Sequence, residues 1–136
     1  MAILKKEAIR IINLWRQFGP GEARMDLELI LNEIVMPTSN GDRCEIVYET
    51  FSSFEGLMAK STNQKNLWKI GINLSVTYRP RRNFTLAHEI GHFIAHRYKQ
   101  DVFQCTTGAL NGLEVAAFEV EANEFAADLL MPADEF

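Results

Sequence analysis

Histidine is scarce in this 136-residue chain: there are three, and all fall within the nine residues His88–His96. Cysteine is scarcer. Cys44 and Cys105 stand 61 residues apart with no CxxC pair and no secretory leader, so two free thiols are expected rather than a disulfide framework. No apolar run approaches the ~18–20 residues that cross a bilayer. The first fifteen residues, MAILKKEAIRIINLW, carry charges throughout and lack a cleavage-site pattern. A cytoplasmic protein with no membrane partner is therefore expected. An excess of basic charge is also missing: 14 basic against 18 acidic side chains leave a net charge of −4. That balance argues against a protein coated in nucleic acid, while leaving room for a local basic patch. Repeats, linkers and low-complexity segments are absent too. With 47% hydrophobic and 24% charged residues, disorder is excluded for most of the chain, and one domain spanning residues 1–136 is expected.

Ile3, Leu4, Ala8, Ile11, Ile12, Trp15 and Phe18 recur at three- and four-residue steps, predicting an amphipathic helix that Gly19-Pro20-Gly21 stops. A second helix is expected from about Asp26, with Leu27, Ile30, Leu31 and Ile34 inward, ending before Pro37. Its Asp26, Glu28 and Glu33, with no basic residue, make it a poor reader of phosphate, so a helix-turn-helix is set aside. After the turn Ser39-Asn40-Gly41-Asp42 the pattern changes. Glu45–Tyr48, Gly56–Lys60 and Trp68–Asn73 are short, rich in β-branched or aromatic residues and separated by polar turns. They predict a small antiparallel three-stranded sheet. Arg79-Pro80-Arg81-Arg82 then introduces a long helix from about Asn83 to Tyr98. A loop with Gly108, Asn111 and Gly112 leads to a final helix from about Leu113 to Leu130, before Pro132. The expected class is α+β, with helices around one small sheet.

His88-Glu89-Ile90-Gly91-His92 is an HExxH sequence inside the predicted long helix. Residues four apart lie one above the other on a helix, so both imidazoles can reach one ion. Glu89 is offset by one position, which turns its carboxylate toward a metal-bound water. Zinc lowers the pKa of such a water toward ~7, and a carboxylate beside it takes the proton as the water attacks a carbonyl.

The motif needs a third ligand. His96 is the remaining histidine, but it lies roughly 12 Å along the helix axis from His88. Zinc proteases that use a downstream histidine break the helix with glycine first, and here Phe93, Ile94 and Ala95 intervene. His96 is expected to cap or support the helix end. The last helix offers a better candidate. At roughly 100° per residue, Val115, Phe118, Ala122, Phe125, Ala126 and Leu129 share one face, and Glu114, Glu121, Glu124 and Asp128 the opposite one. Glu119 falls among the apolar residues, where a carboxylate is costly unless paired or metal-bound. A salt bridge to a buried cation is the alternative; a nearby two-histidine helix short of a ligand favours zinc. Asn123, one turn on, is placed either to hydrogen-bond the free ring nitrogen of a liganding histidine or as an ordinary surface residue.

FTLAHEIGHFIAH (84–96) followed by EVEANEFAADLLMP (119–132) resembles the ImmA/IrrE metallopeptidases, a gluzincin-like group with a zincin-like fold, over about Glu45 to Pro132. The resemblance implies one zinc ion held by His88, His92 and Glu119, with Glu89 as general base and Asn123 as the polar residue one turn after the third ligand. It implies a zinc endopeptidase acting on a protein, typically a helix-turn-helix repressor. Cleavage would derepress stress, mobile-element or antiphage-defence genes. No fused DNA-binding or sensor domain is expected here. The runner-up is a non-catalytic, zinc-stabilised module that binds a repressor or nucleic acid. A third reading is an effector acting through hydrolysis of another bond.

Cys105 lies 13 residues beyond His92 and 14 before Glu119. A thiolate there suits zinc's fourth position, a cysteine switch that excludes the catalytic water; an idle thiol is the alternative. Such latency resembles the CapP-type proteases of antiphage operons, for which single-stranded DNA or another damage signal is the implied activator. Arg79, Arg81 and Arg82, with Arg97 and Lys99 at the other helix end, are candidate contacts for nucleic acid or an acidic substrate, against the plainer reading of a solvated charge run. The Trp68–Asn73 strand is a candidate edge for an extended substrate. Tyr78 and Tyr98 are both available as oxyanion stabilisers. A switch at Cys105 predicts that Cys105→Ala raises basal proteolysis and alters zinc coordination; unchanged cleavage and coordination would sink it.

Overall fold

The computed structural model describes residues 3–19, 25–105 and 117–131. The first helix, α1 (Ile3–Phe18), buries Leu4, Ala8 and Ile11, the stripe its spacing predicts, and ends where Gly19 N–H donates to Trp15 O at 2.8 Å. Helix α2 (Leu27–Ile30) starts under Asp26, whose side chain accepts from Leu29 N–H at 3.1 Å, satisfying one of the free amides of a helix start. It does not stop before Pro37. The chain runs on through a π-helical turn, Leu31–Val35, into a 3₁₀ turn, Met36–Thr38. Proline is tolerated there because the opening positions of a helical turn need no amide donor.

Asn40 and Gly41, with φ of 56° and 85°, reverse the chain in the left-handed conformation that Asn-Gly favours. Strand β1 (Arg43–Glu49) follows, then β2 (Gly56–Lys60) and β3 (Leu67–Asn73). The sheet differs from the three-stranded antiparallel one expected. Among the described residues it has four strands in the order β1-β3-β2-β4, where β4 is Val102–Cys105. β1 runs parallel to β3, while β2 is antiparallel to both β3 and β4. The reason lies in burial. Six of the seven β3 residues are buried, with Lys69 the exception, which suits a strand covered by neighbours on both edges. Turn residues between strands disclose where the chain bends but not which strands pair. β4, only four residues long, is too short to announce itself by alternation.

Helix α3 (Arg79–Ala95) starts four residues before the expected Asn83 and stops three short of Tyr98. Pro80 in its first turn fits that earlier start. Its buried face, including Ala87, Ile90 and Phe93, joins Met58, Trp68, Ile70 and Ile72 of the sheet in one core. Helix α4 (Ala117–Leu130) adds Phe125, Ala126 and Leu129 to that core and packs between α1 and α3. Gly91 allows the approach: a Cβ there would stand 3.0 Å from Phe125 Cδ2 and 3.6 Å from Ala122 Cα. The expected start of the last helix and the loop before it lie outside the described residues. Among the described residues no helix is long and apolar enough to cross a membrane.

Beyond the end of α3, Arg97 is not the free cation its sequence neighbourhood suggested. Its Nε donates to Asp42 Oδ2 at 2.8 Å, Nη1 to Phe93 O at 2.6 Å and Nη2 to Ser39 O at 3.2 Å, and the residue is 7% exposed. The guanidinium lies over the rings of Phe93, Tyr98 and Trp68, and Tyr98 Oη also donates to Asp42. This pair pins the turn before β1 to the end of α3. Removing one partner of a buried pair strands the other charge, so Asp42→Ala is expected to destabilise the fold by about 3–5 kcal/mol, read as a lowered urea midpoint.

Candidate metal centre

His88 and His92 lie one turn apart on α3, with ring centroids 4.6 Å apart and Nε2 atoms 3.1 Å apart. From α4, Glu119 places Oε2 3.1 Å from His88 Nε2 and Oε1 3.0 Å from His92 Nε2. One ligand atom from each of these three residues lies within 4.8 Å of the others, close enough to share a metal ion. The histidines are buried, and Glu119 retains 23% of its side-chain exposure. The helical phase that set Glu119 apart from its acidic neighbours therefore corresponds to a real convergence.

The far sides of the rings decide what this convergence means. Asn123 Oδ1 lies 2.8 Å from His88 Nδ1. An amide oxygen only accepts, so His88 Nδ1 carries a proton and donates to it. His92 Nδ1 faces His96 Nδ1 at 3.0 Å. Burial holds His92 below the ordinary histidine range, against the opposing hydrogen bond to Glu119. Burial raises Glu119, but hydrogen bonds to His88 and His92 outweigh it and bring its pKa to about 2. Two imidazole Nε2 atoms and an ionised carboxylate thus point at one spot, three donor atoms that a cation would share. Two His and one Glu are a donor set of catalytic zinc, so the residues present fit that ion.

Glu89 is fully buried, and neither carboxylate oxygen has a hydrogen-bond partner among the described residues. Burial, and then the charge of Glu119, raise its pKa well above the usual carboxylate range. The residue faces Gly56 of β2, where a Cβ would come within 3.5 Å of Glu89 Cγ and 2.4 Å of Thr85 Cγ2. A fully buried carboxylate with no partner is costly to keep, and such groups concentrate where a reaction needs them.

The other candidates fall elsewhere. Cys105 ends β4, but its side chain lies outside the described residues, so the fourth-ligand reading does too. Cys44 is a buried free thiol whose pKa burial raises, which makes it inert. Arg81 pairs with Glu55 at 2.5 Å. Arg79 and Arg82 line a cavity of about 130 Å³ with Tyr48, Ile72, Asn83 and Leu86, in the first turns of α3. None of the three arginines is among the residues that converge on the His pair. Tyr98 is committed to Asp42, and Tyr78 stands 69% exposed just before α3. Sequence reading missed two contacts. Phe103 of β4 stacks on His92 at 4.5 Å, and Glu121, assigned to the solvated face, reaches His96 Nε2 at 3.3 Å. Both residues required knowledge of which neighbour each side chain meets.

The model of the IrrE N-terminal-like domain, a peptidase family, matches residues 37–136. The chain belongs to this family. The match includes every residue of the candidate centre and leaves out α1, although α1 packs directly on α4, which carries Glu119. No curated protein matches the chain. Substitution at the centre should separate the roles of ligand and support. Asn123→Ala is expected to weaken zinc binding about 10–100-fold by freeing the His88 ring, and Glu119→Ala to weaken it further, both measured by competition with a chromophoric chelator.

Proposed function

We propose that this chain is a zinc-dependent endopeptidase whose ligands are His88, His92 and Glu119 and whose general base is Glu89. The observation that carries the reading is the convergence of three ligand atoms beside a buried carboxylate with no hydrogen-bond partner among the described residues. Bound zinc supplies Lewis acidity, polarising a carbonyl and bringing the pKa of water near 7. Glu89 takes up the proton released as water attacks the scissile carbonyl and delivers it to the leaving amine, a role suited to a carboxyl whose affinity for protons burial has raised. Asn123 holds the His88 ring, and Phe103 and Phe118 pack against His92 and exclude water from that side.

The substrate is proposed to be a protein, by preference a helix-turn-helix repressor, whose cleavage derepresses stress, mobile-element or antiphage genes in the cytoplasm, with single-stranded DNA or another damage signal as activator. Resemblance to the ImmA/IrrE metallopeptidases supports this reading. The strand that would receive an extended substrate differs from the one expected. Trp68–Asn73 lies within β3, which is paired on both sides, by β1 and β2, so it has no free edge to offer. β4 is paired only with β2 among the described residues, and its Phe103 touches His92. Backbone pairing along β4 would bring a peptide past the centre.

A purely structural zinc site closes with four protein ligands and needs no buried base, which sets the non-catalytic module second. Glu89→Gln distinguishes the two. It should retain zinc and partner binding while lowering cleavage about 10²–10⁴-fold. The assay incubates the protein, with and without chelator, with the helix-turn-helix protein of its own operon and reads fragments by mass spectrometry. Full biological output from Glu89→Gln would establish the binding module instead.

A further inference from the structure

Among the described residues β1 and β4 are the two edges of the sheet, and β4 is the one that touches His92. The register of β1 with β3 fixes which of its backbone groups are used. Arg43 N–H donates to Asn66 O at 2.8 Å, and Glu49 O accepts from Leu74 N–H at 2.8 Å. In a parallel pair alternate residues bond to the neighbouring strand, so Arg43, Glu45, Val47 and Glu49 turn their N–H and C=O groups to β3. Those of Cys44, Ile46 and Tyr48 point outward. Cys44 N–H reaches the thioether of Met36, with Sδ at 3.3 Å, a weak acceptor. The outward N–H groups of Ile46 and Tyr48 meet no acceptor among the described residues.

A groove of about 480 Å³ lies along this edge, between Glu28, Asn32 and Met36 on one side and Cys44, Ile46 and Tyr48 on the other. Tyr48 Oη donates to Glu28 there. Uncovered edges are commonly blunted by proline, lysine or a bulge. β1 has no proline or lysine, and its register with β3 is unbroken. Successive side chains take opposite faces. Cys44 and Ile46 turn to the core, whereas Glu45 and Glu49 are exposed on the other face. Glu45 stands opposite Lys69 of β3, so a cation on its open side would continue a row of alternating charge across the sheet.

We propose that the free edge of β1 docks an extended segment of a partner protein, added as a further strand, with basic residues opposite Glu45 and Glu49 and apolar residues opposite Ile46 and Tyr48. The outward backbone groups supply the pairing, and the two acids select the partner. A second copy of this chain fits less well, because it would bring its own Glu28, Glu45 and Glu49 to a strip that already holds them. Since β1 and β4 are opposite edges, the contact holds a partner while leaving the metal centre free. It does not depend on the zinc reading.

The probe is the peptide acetyl-KVTVK-amide, whose pattern reads alike in either strand direction, with acetyl-EVTVE-amide as control. Added to the ¹⁵N-labelled full chain, KVTVK should shift amides of β1, slow the hydrogen exchange of Ile46 and Tyr48, and leave the far edge unmoved; EVTVE should do neither. Glu45→Lys combined with Glu49→Lys changes two exposed side chains and is expected to weaken KVTVK about 10-fold while admitting EVTVE. Ile46→Pro removes an outward N–H without breaking the ladder to β3 and should abolish binding. Thermal unfolding shows whether that variant folds; where it does not, the charge reversal decides. Absence of shifts in β1 at millimolar KVTVK, or indifference of binding to the charge reversal, would overturn the proposal. So would protected Ile46 and Tyr48 amides in the peptide-free chain: sedimentation as a dimer would then assign the edge to a second copy, and as a monomer to a segment of the chain itself.

Discussion

With both Nε2 lone pairs turned toward it, the ionised Glu119 carboxylate would meet two electron-rich atoms that repel it, and the rest of the structure serves to hold the three side chains together at one largely buried point. The opposition is electrostatic and strengthens as water is excluded, since the local dielectric falls. A cation would relieve it, and the three side chains lie close enough to share one. Fixing the rings in advance also lowers the ordering cost when the ion arrives. That task falls to the hydrogen bonds on the far nitrogens, from Asn123 to one ring and His96 to the other.

The scaffold follows from that demand. α4 must lie close enough to α3 for a glutamate to reach both histidines, and Gly91, between them in the motif, removes the side chain that would keep Phe125 and Ala122 away. The sheet supports α3 from its other side, where Gly56 leaves room for Thr85 and for the buried Glu89. Past the end of α3, Arg97 and Asp42 join the helix to the turn before β1 through a pair shielded by three aromatic rings. Apolar packing alone resists sliding weakly. An ion pair with directed hydrogen bonds fixes the register of the helix against the sheet, and thereby where His88 and His92 stand.

Much of this was legible in the residue order, and the part that was not has a consistent physical character. The helix of Ile3–Phe18 and the strand Gly56–Lys60 follow from local period and local breakers, and the structure reproduces their bounds. The His pair follows from helical pitch, and Glu119 from the clash of a carboxylate with its apolar face. Strand pairing was misread, because the parallel union of β1 with β3 joins residues 24 positions apart, such as Arg43 with Leu67. Arg97 was misread for the same reason. Its sequence neighbours suggest an exposed basic cluster, whereas its partner Asp42 lies 55 positions away.

By itself the sequence determined the chemistry at this centre: which side chains carry nitrogen or carboxylate, and which of them one helix must stack on a single face, since both depend only on residue type and the 3.6-residue turn. Tertiary structure alone decided the support. It chose β4 rather than β3 as the edge beside the centre, committed Tyr98 and Arg97 to Asp42, and turned Glu121 from a solvated acid into the partner of His96. Those outcomes depend on contacts between distant segments, and hydrogen bonds of that kind leave no period in the chain from which to read them.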